Sequence, residues 1–334
     1  MAPVLDVRNL SVVLNTRNGA LPAVQNVSFS VNAGETLAVV GESGCGKSLT
    51  ALAIMRLLPE PPARISGGQI LLDGRDLLSL SERRMQDVRG KDIAMIYQDP
   101  MSALNPVLTV EAQITEVIRR HQPLSARAAR DKAIELLTLV GISDAASRLG
   151  AYPHQLSGGM SQRVMIAMAI ACQPRVLIAD EPTTALDVTI QAQIIALLRR
   201  LQAETGMALV LITHDLGVVA EAAARVAVMY AGRVVEQTTT DALFDRPLHP
   251  YARGLMAATP TAGPEGRHAR LADIPGMVPA LADLPAGCAF AARCPLAFDR
   301  CWREAPALRA PAGGHVVACF AVDQEVADVA PVGA

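Results

Sequence analysis

The chain has 334 residues, 51% hydrophobic and 19% charged, enough for two domains or one large domain with an appendage, and too apolar for a disordered polymer. Thirty Lys+Arg against 32 Asp+Glu leave a net charge of −2, which excludes the basic footprint of a nucleic-acid binder. No run of 18 apolar residues occurs and Asp6 and Arg8 interrupt the N-terminal segment, so the sequence predicts neither a membrane span nor an export signal. Lys47, Lys91 and Lys132 are its only lysines, so a motif that demands lysine is hard to reach by chance.

Residues 4 to 31 alternate apolar and polar around Val4, Leu5, Val7, Leu10, Val27, Phe29 and Val31, which predicts an antiparallel opening. Glu35 to Val40 reads as a short buried strand running into Gly41, and Ser48 to Leu58 as a helix stopped by Pro59. Ile93 to Tyr97 is a further strand. From Pro100 to Ala151 the pattern is helical, including Ala128 to Val140 closed by Gly141, and a helical subdomain is expected over about 99–165. Arg175 to Asp180 and Ala208 to Thr213 flank the helical Val188 to Glu204, a βαβ pattern that implies parallel strands. Val226 to Tyr230 and Arg233 to Gln237 form a hairpin turning at Ala231-Gly232. The fold class is therefore α/β: a P-loop core with an antiparallel β subdomain, a helical subdomain and a C-terminal extension. Texture changes after Arg246-Pro247, so the domains expected are 1–245, 246–322 and a tail over 323–334.

Gly41-Glu42-Ser43-Gly44-Cys45-Gly46-Lys47-Ser48, with Leu49 opening the helix, fits the phosphate-binding loop. Its glycines let successive N–H groups face phosphate oxygens at a helix N-terminus. Lys47 is expected to reach the β and γ phosphates and Ser48 to ligate Mg²⁺. Val176 to Ala179 delivers Asp180 and Glu181 to a strand end. Asp180 suits the metal, and Glu181 is placed to take a proton from the attacking water. Taken alone, an Asp-Glu-Pro sequence is an ordinary turn; beside a P-loop it reads as the second half of a nucleotide site. Ser157-Gly158-Gly159 before a helical run is either a plain N-cap or a second phosphate cradle. One P-loop serves one nucleotide, so a second cradle implies contact with another subunit's ATP.

Together these residues resemble the ATP-binding cassette family, whose P-loop and signature sequence meet across a head-to-tail dimer. The resemblance implies a role in trans for Ser157, Gly158, Gly159, Gln162 and the D-loop acid Asp187. It implies that Gln98 is the Q-loop residue near Mg²⁺ and that His214 is the switch histidine at the γ-phosphate, although a lone histidine after a strand is more often structural. The family stacks adenine on an aromatic ring where this chain has Leu14, and residues 1 to 28 contain no aromatic at all.

Gln98 to Pro106, His249 to Leu255, Ile274 to Pro279 and Arg293-Cys-Pro295 resemble the oligopeptide/dipeptide importer branch, which includes nickel importers. That resemblance implies an ATPase peripheral to the cytoplasmic face of the membrane. Its implied partners are a paralogous ATPase in a heterodimer, two permeases and an extracytoplasmic substrate-binding protein. A nickel or other small-solute importer, or a soluble cassette ATPase without transport, are the alternative readings. Six cysteines without an export signal belong to a reducing compartment, and Cys288, Cys294, Cys301 and Cys319 crowd the last fifth. Four thiolates among prolines can enclose a metal. The branch is associated with a [4Fe–4S] cluster at cysteines so placed; zinc and unligated thiols remain open. Far in sequence from Lys47, Asp180 and Glu181, this group is expected to play a structural role, ordering 285–320 for contact with the neighbouring ATPase, in preference to electron transfer.

Overall fold

In a computed structural model, which describes residues 2–17, 19–184, 186–258, 274–312 and 314–322, the strands gather into two sheets. The first is antiparallel. Strands β1 (Leu5–Thr16) and β2 (Gly19–Val31) pair as the alternation predicts, and β4 (Ala63–Leu72) and β5 (Arg75–Asp76) complete it. Between them in sequence, β3 (Thr36–Val40) belongs to the second sheet. The period-2 signal of β4 is broken by Gly67-Gly68, where the register against β1 shifts between Arg8 and Ser11, which is why the sequence pattern does not announce this strand.

The second sheet runs β6 (Ile93–Ile96), β7 (Val176–Asp180), β8 (Ala208–Thr213), β3, β9 (Arg225–Tyr230), β10 (Arg233–Thr239), β12 (His315–Val317) and β11 (Arg309–Ala312) in spatial order. It is parallel from β6 to β9 and antiparallel beyond. Its central strands are covered on both faces. Val176 and Ile178 join the core under the antiparallel sheet and the helix Lys47–Ile54, whereas Leu177 and Ala179 join the core under the helical region. Burial on both sides explains why these strands read as continuous aliphatic runs.

Over the stretch predicted to be helical, five helices lie at Pro100–Ala103, Val110–His121, Ala126–Leu139, Ala145–Arg148 and Gly158–Ile170 among the described residues. Thr109, Ser125 and Ser157 cap three of them through their side chains.

The chain beyond 246 packs on the same sheet as the nucleotide core. The helix Pro250–Ala257, Ile274 and Phe290 share a core with Ala38, Val40 and Val228. In a chain that is only 3% aromatic, Tyr230, Tyr251 and Phe290 meet with centroids 4.7 to 5.4 Å apart. Glu236 of β10, fully buried, fastens the segment by three contacts: from the N–H groups of Leu248 (2.9 Å) and His249 (2.7 Å), and with His315 Nε2 (2.6 Å). His249 accepts at Nδ1 from the Tyr251 N–H, 3.0 Å away, and burial drives its pKa down to about 3, which keeps that nitrogen free to accept. The expected tail over 323–334 lies outside the described residues.

Removing the Glu236 carboxylate strands two buried N–H groups. Glu236→Ala is expected to lower unfolding free energy by roughly 3 kcal/mol and to speed proteolysis beyond residue 246, measured by chemical denaturation and limited trypsin digestion. Wild-type stability would show that this carboxylate does not anchor the segment.

Candidate active site

Strands β3, β8 and β7 lie side by side in register, with Val40 opposite Thr213 and Ile212 opposite Asp180. Whatever follows each strand therefore emerges at one edge. Three loops meet there: Gly41–Gly46 after β3, Glu181–Thr184 after β7 and His214 after β8.

The P-loop opens directly into the helix Lys47–Ile54, whose first-turn N–H groups face the edge. Lys47 is 4% exposed, and its Nζ donates to the carbonyls of Gly41 (2.8 Å) and Glu42 (3.2 Å). Behind the loop, the β9–β10 turn comes so close that a Cβ on Gly232 would lie 2.4 Å from the Ala23 carbonyl. The Gly232 N–H donates to Cys45 O at 2.9 Å. Only glycine fits where turn, loop and β2 converge.

Ser48 Oγ lies 3.1 Å from Asp180 Oδ1. Burial raises the pKa of Asp180; the Ser48 hydrogen bond opposes that rise, and the Glu181 charge adds to it. A hydroxyl and a carboxylate side by side are hard oxygen donors of the kind Mg²⁺ takes, and a divalent cation would relieve the buried charge. Glu181 is the hub of the site. Its Oε2 accepts from Gln98 Nε2 and from Thr184 Oγ1, both at 2.9 Å, and its Oε1 lies 3.3 Å from His214 Nδ1 and 3.8 Å from Lys47 Nζ. Its backbone sits at φ 45°, a left-handed conformation costing about 1–3 kcal/mol outside glycine, held by its N–H donating to Ile212 O. His214 is 58% exposed on its side chain, free to turn toward a ligand. The structure thus brings Lys47, Ser48, Gln98, Asp180, Glu181 and His214 to one place. Thr184, on the same carboxylate, carries no motif that would single it out in the sequence.

Ser157 is exposed and caps the helix Gly158–Ile170, accepting from the Met160 N–H at 3.3 Å. Gly159 lets that helix approach Val188–Thr205: a Cβ there would lie 3.2 Å from Ile190. Asp187 is exposed and caps Val188–Thr205 through the Ile190 N–H; Ala185 beside it lies outside the described residues. Gln162, expected to act in trans, lies inside this chain. At 1% exposure it faces inward and donates to Pro182 O at 2.7 Å, because the residue five positions past the cap returns to the buried face of the helix. It ties the signature helix to the loop carrying Glu181. Leu14 is half-buried between cross-strand partners Leu21 and Ala63, so neither neighbouring strand supplies a ring.

Cys288, Cys294, Cys301 and Cys319 line one small pocket, all four as free thiols. Burial pushes Cys288 up to about 11 and raises Cys294 and Cys319. Among the described residues no group of three or more His, Cys, Asp or Glu is set to hold a metal ion. Arg293, next to Cys294, makes a two-pronged ion pair with Glu42 of the P-loop at 2.7 and 3.0 Å, because antiparallel extension of the sheet folds the segment back behind the loop.

A P-loop joined to paired strand-end acids and a capped signature helix is the arrangement of a cassette ATPase. The family model described as ABC transporter matches residues 24–184, and that described as the oligopeptide/dipeptide transporter C-terminal region matches 235–301. A probable peptide ABC transporter ATP-binding protein of Sinorhizobium fredii is 53% identical over 97% of this chain and 96% of its own length. The dipeptide transport ATP-binding protein DppD of Bacillus subtilis is 51% identical over the same shares. A dimeric ATP-binding cassette, MJ0796, solved with ADP and Pi, superposes with TM-score 0.64 at 27% identity, covering 71% of this chain and 98% of its own. The chain belongs to the ABC transporter ATP-binding proteins, in the branch that carries the oligopeptide/dipeptide C-terminal region.

Because Glu181 accepts four contacts yet lies beyond the loop that holds phosphate, its charge matters to the reaction more than to binding. Glu181→Gln is expected to keep ATP affinity within about threefold while lowering kcat at least 10²-fold, read from equilibrium binding and phosphate release. Unchanged turnover would remove Glu181 from the chemistry.

Proposed function

We propose that this chain is the ATP-hydrolysing subunit that energises import of di- or oligopeptides, peripheral to the cytoplasmic face of the membrane. Among the described residues no helix is long and apolar enough to cross a bilayer, so the translocation path must come from permease partners. The observation that carries the reading is the convergence of Lys47, Asp180, Glu181 and His214 on one sheet edge in a chain that carries the oligopeptide/dipeptide transporter C-terminal region. The homologues named for peptide and dipeptide transport, about half identical over nearly the full chain, support the substrate class.

In this reading Lys47 and the P-loop N–H groups hold the β and γ phosphates, and Ser48 and Asp180 hold Mg²⁺. Bound Mg²⁺ neutralises charge developing on the transferred phosphoryl group. Glu181 accepts the proton of the attacking water, Gln98 and Thr184 fix its carboxylate, and His214 turns to the γ-phosphate. Ser157 and the free N–H groups after it contact the nucleotide of a second cassette, a paralogous subunit in a heterodimer with this one. The domain division follows the same reading: 1–245 for the cassette, with its helical subdomain over 99–165, and 246–322 for the branch-specific extension.

The four cysteines are assigned to a [4Fe–4S] cluster. What supports this is that the four cysteines line one apolar pocket, which offers the thiolate set such a cluster takes.

Affinity purification from detergent-solubilised membranes should recover two permeases and a second cassette subunit; recovery of the chain alone or with nucleic acid would defeat the transport reading. Within such a complex, Ser157→Arg is expected to impair hydrolysis at the partner's P-loop while binding at this chain's own loop stays within about threefold. A defect confined to this chain's own site would overturn the dimer. Anaerobic preparations should carry about four irons per chain, lost in Cys294→Ser, whereas one zinc and no iron would refute the cluster.

A further inference from the structure

Glu42 is an anomaly in a loop whose purpose is to gather anions. Its backbone is tied at two points: the N–H donates to the Tyr251 hydroxyl at 2.8 Å, and the carbonyl accepts from Lys47 Nζ at 3.2 Å. Its carboxylate is 31% exposed and reaches away from the loop to Arg293, which is only 4% exposed. Arg293 makes four hydrogen bonds: two to the carboxylate, one from Nε to Pro275 O at 2.9 Å and one from Nη2 to Ile274 O at 3.2 Å. Its guanidinium lies 5.8 and 5.9 Å from the ring centroids of Tyr230 and Phe290. Apart from Glu42 itself, the groups that contact Arg293 come from β9 and the C-terminal segment, so the guanidinium is anchored from outside the loop it grips.

We infer that Arg293 is a positioning residue for the nucleotide site, holding the P-loop open to polyphosphate by neutralising and withdrawing the Glu42 carboxylate. The inference rests on the reading of residues 41–48 as the ATP site. A carboxylate released into that loop opposes a ligand carrying three to four negative charges, and it frees the backbone that orients Lys47. A bidentate, charge-assisted pair is the contact that fixes both the direction and the charge of a carboxylate. Lysine in its place keeps the charge and loses the fork. The C-terminal segment of this branch is, on this account, a working part of the phosphate cradle.

The pair separates this role from simple reinforcement, because losing its two halves affects binding unequally. Arg293→Met leaves a bare carboxylate in the loop; Glu42→Gln leaves none. With the full-length chain and a fluorescent ATP analogue plus Mg²⁺, Arg293→Met is expected to weaken binding about tenfold or more. Glu42→Gln should weaken binding by less than Arg293→Met does, and adding Glu42→Gln to Arg293→Met should recover most of the loss. Both single changes should lower the melting temperature. Arg293→Lys, the gentler change, should weaken binding by less than Arg293→Met and provides the measurement if Arg293→Met does not fold. Wild-type affinity in Arg293→Met or Arg293→Lys, or equal weakening in the two single variants with no recovery in the double, would overturn the inference. Failure of the wild-type chain to bind the analogue would instead refute the ATP site itself.

Discussion

Everything at the site depends on in-register pairing of three parallel strands. Because β3, β8 and β7 end at one level, residues some 140 positions apart in sequence reach a common edge without long loops. The pairing holds because each strand is aliphatic on both faces and buried between two cores, so a one-residue slip would exchange the sets that face them. Glu181 shows the consequence. It occupies the first position past β7, its N–H still donates to Ile212 O of β8, and it turns at once into a left-handed conformation. The strain aims the carboxylate back across the edge toward Lys47 and His214, a direction an extended residue would not take. Contacts from Gln98 and Thr184 then hold it there.

Such a site is legible in sequence to the extent that its geometry is local. A loop between strand and helix, or two acids at a strand end, is specified by residues a few positions apart, and parallel pairing follows from the βαβ order. The strands β3, β7, β8, β9 and β10 fall within one or two residues of where aliphatic runs place them. Contacts between distant segments have no such signature. Gln162 stands in a motif that suggests exposure, yet helical periodicity carries it inside to Pro182. Strand β4 hides behind a glycine pair at a register shift, and β11 and β12 are too short to alternate visibly.

The C-terminal segment shows how a stretch with little core of its own is held. Its apolar contribution is a few rings and aliphatic residues, so polar groups supply the specificity: one buried glutamate accepts three contacts from it, and one arginine returns four hydrogen bonds to the loop and its own chain. Both acids lie in the cassette and would lose their partners without the segment. The thiol pocket shares its wall with the same elements, since Phe290 and His249 line it and Cys294 follows Arg293 directly. Burial raises Cys288, Cys294 and Cys319, so converting these three to thiolates there requires a compensating positive centre and releases protons. Whatever orders that pocket also sets the backbone from which Arg293 projects.

An acid inside an anion-binding loop breaks a local rule, and such breaks are informative when the compensation lies elsewhere. Read alone, Gly41-Glu42-Ser43 offers no reason for glutamate, since any residue free to follow the backbone would build the turn. The reason lies 251 residues on, at Arg293, and is visible only once β12 has joined β10 and turned the segment back over β9. Local and global requirements conflict at Glu42 and are reconciled by that one ion pair. The glutamate and the extension are coupled through that pair, so a stretch of different texture after residue 246 bears on a loop beginning at residue 41.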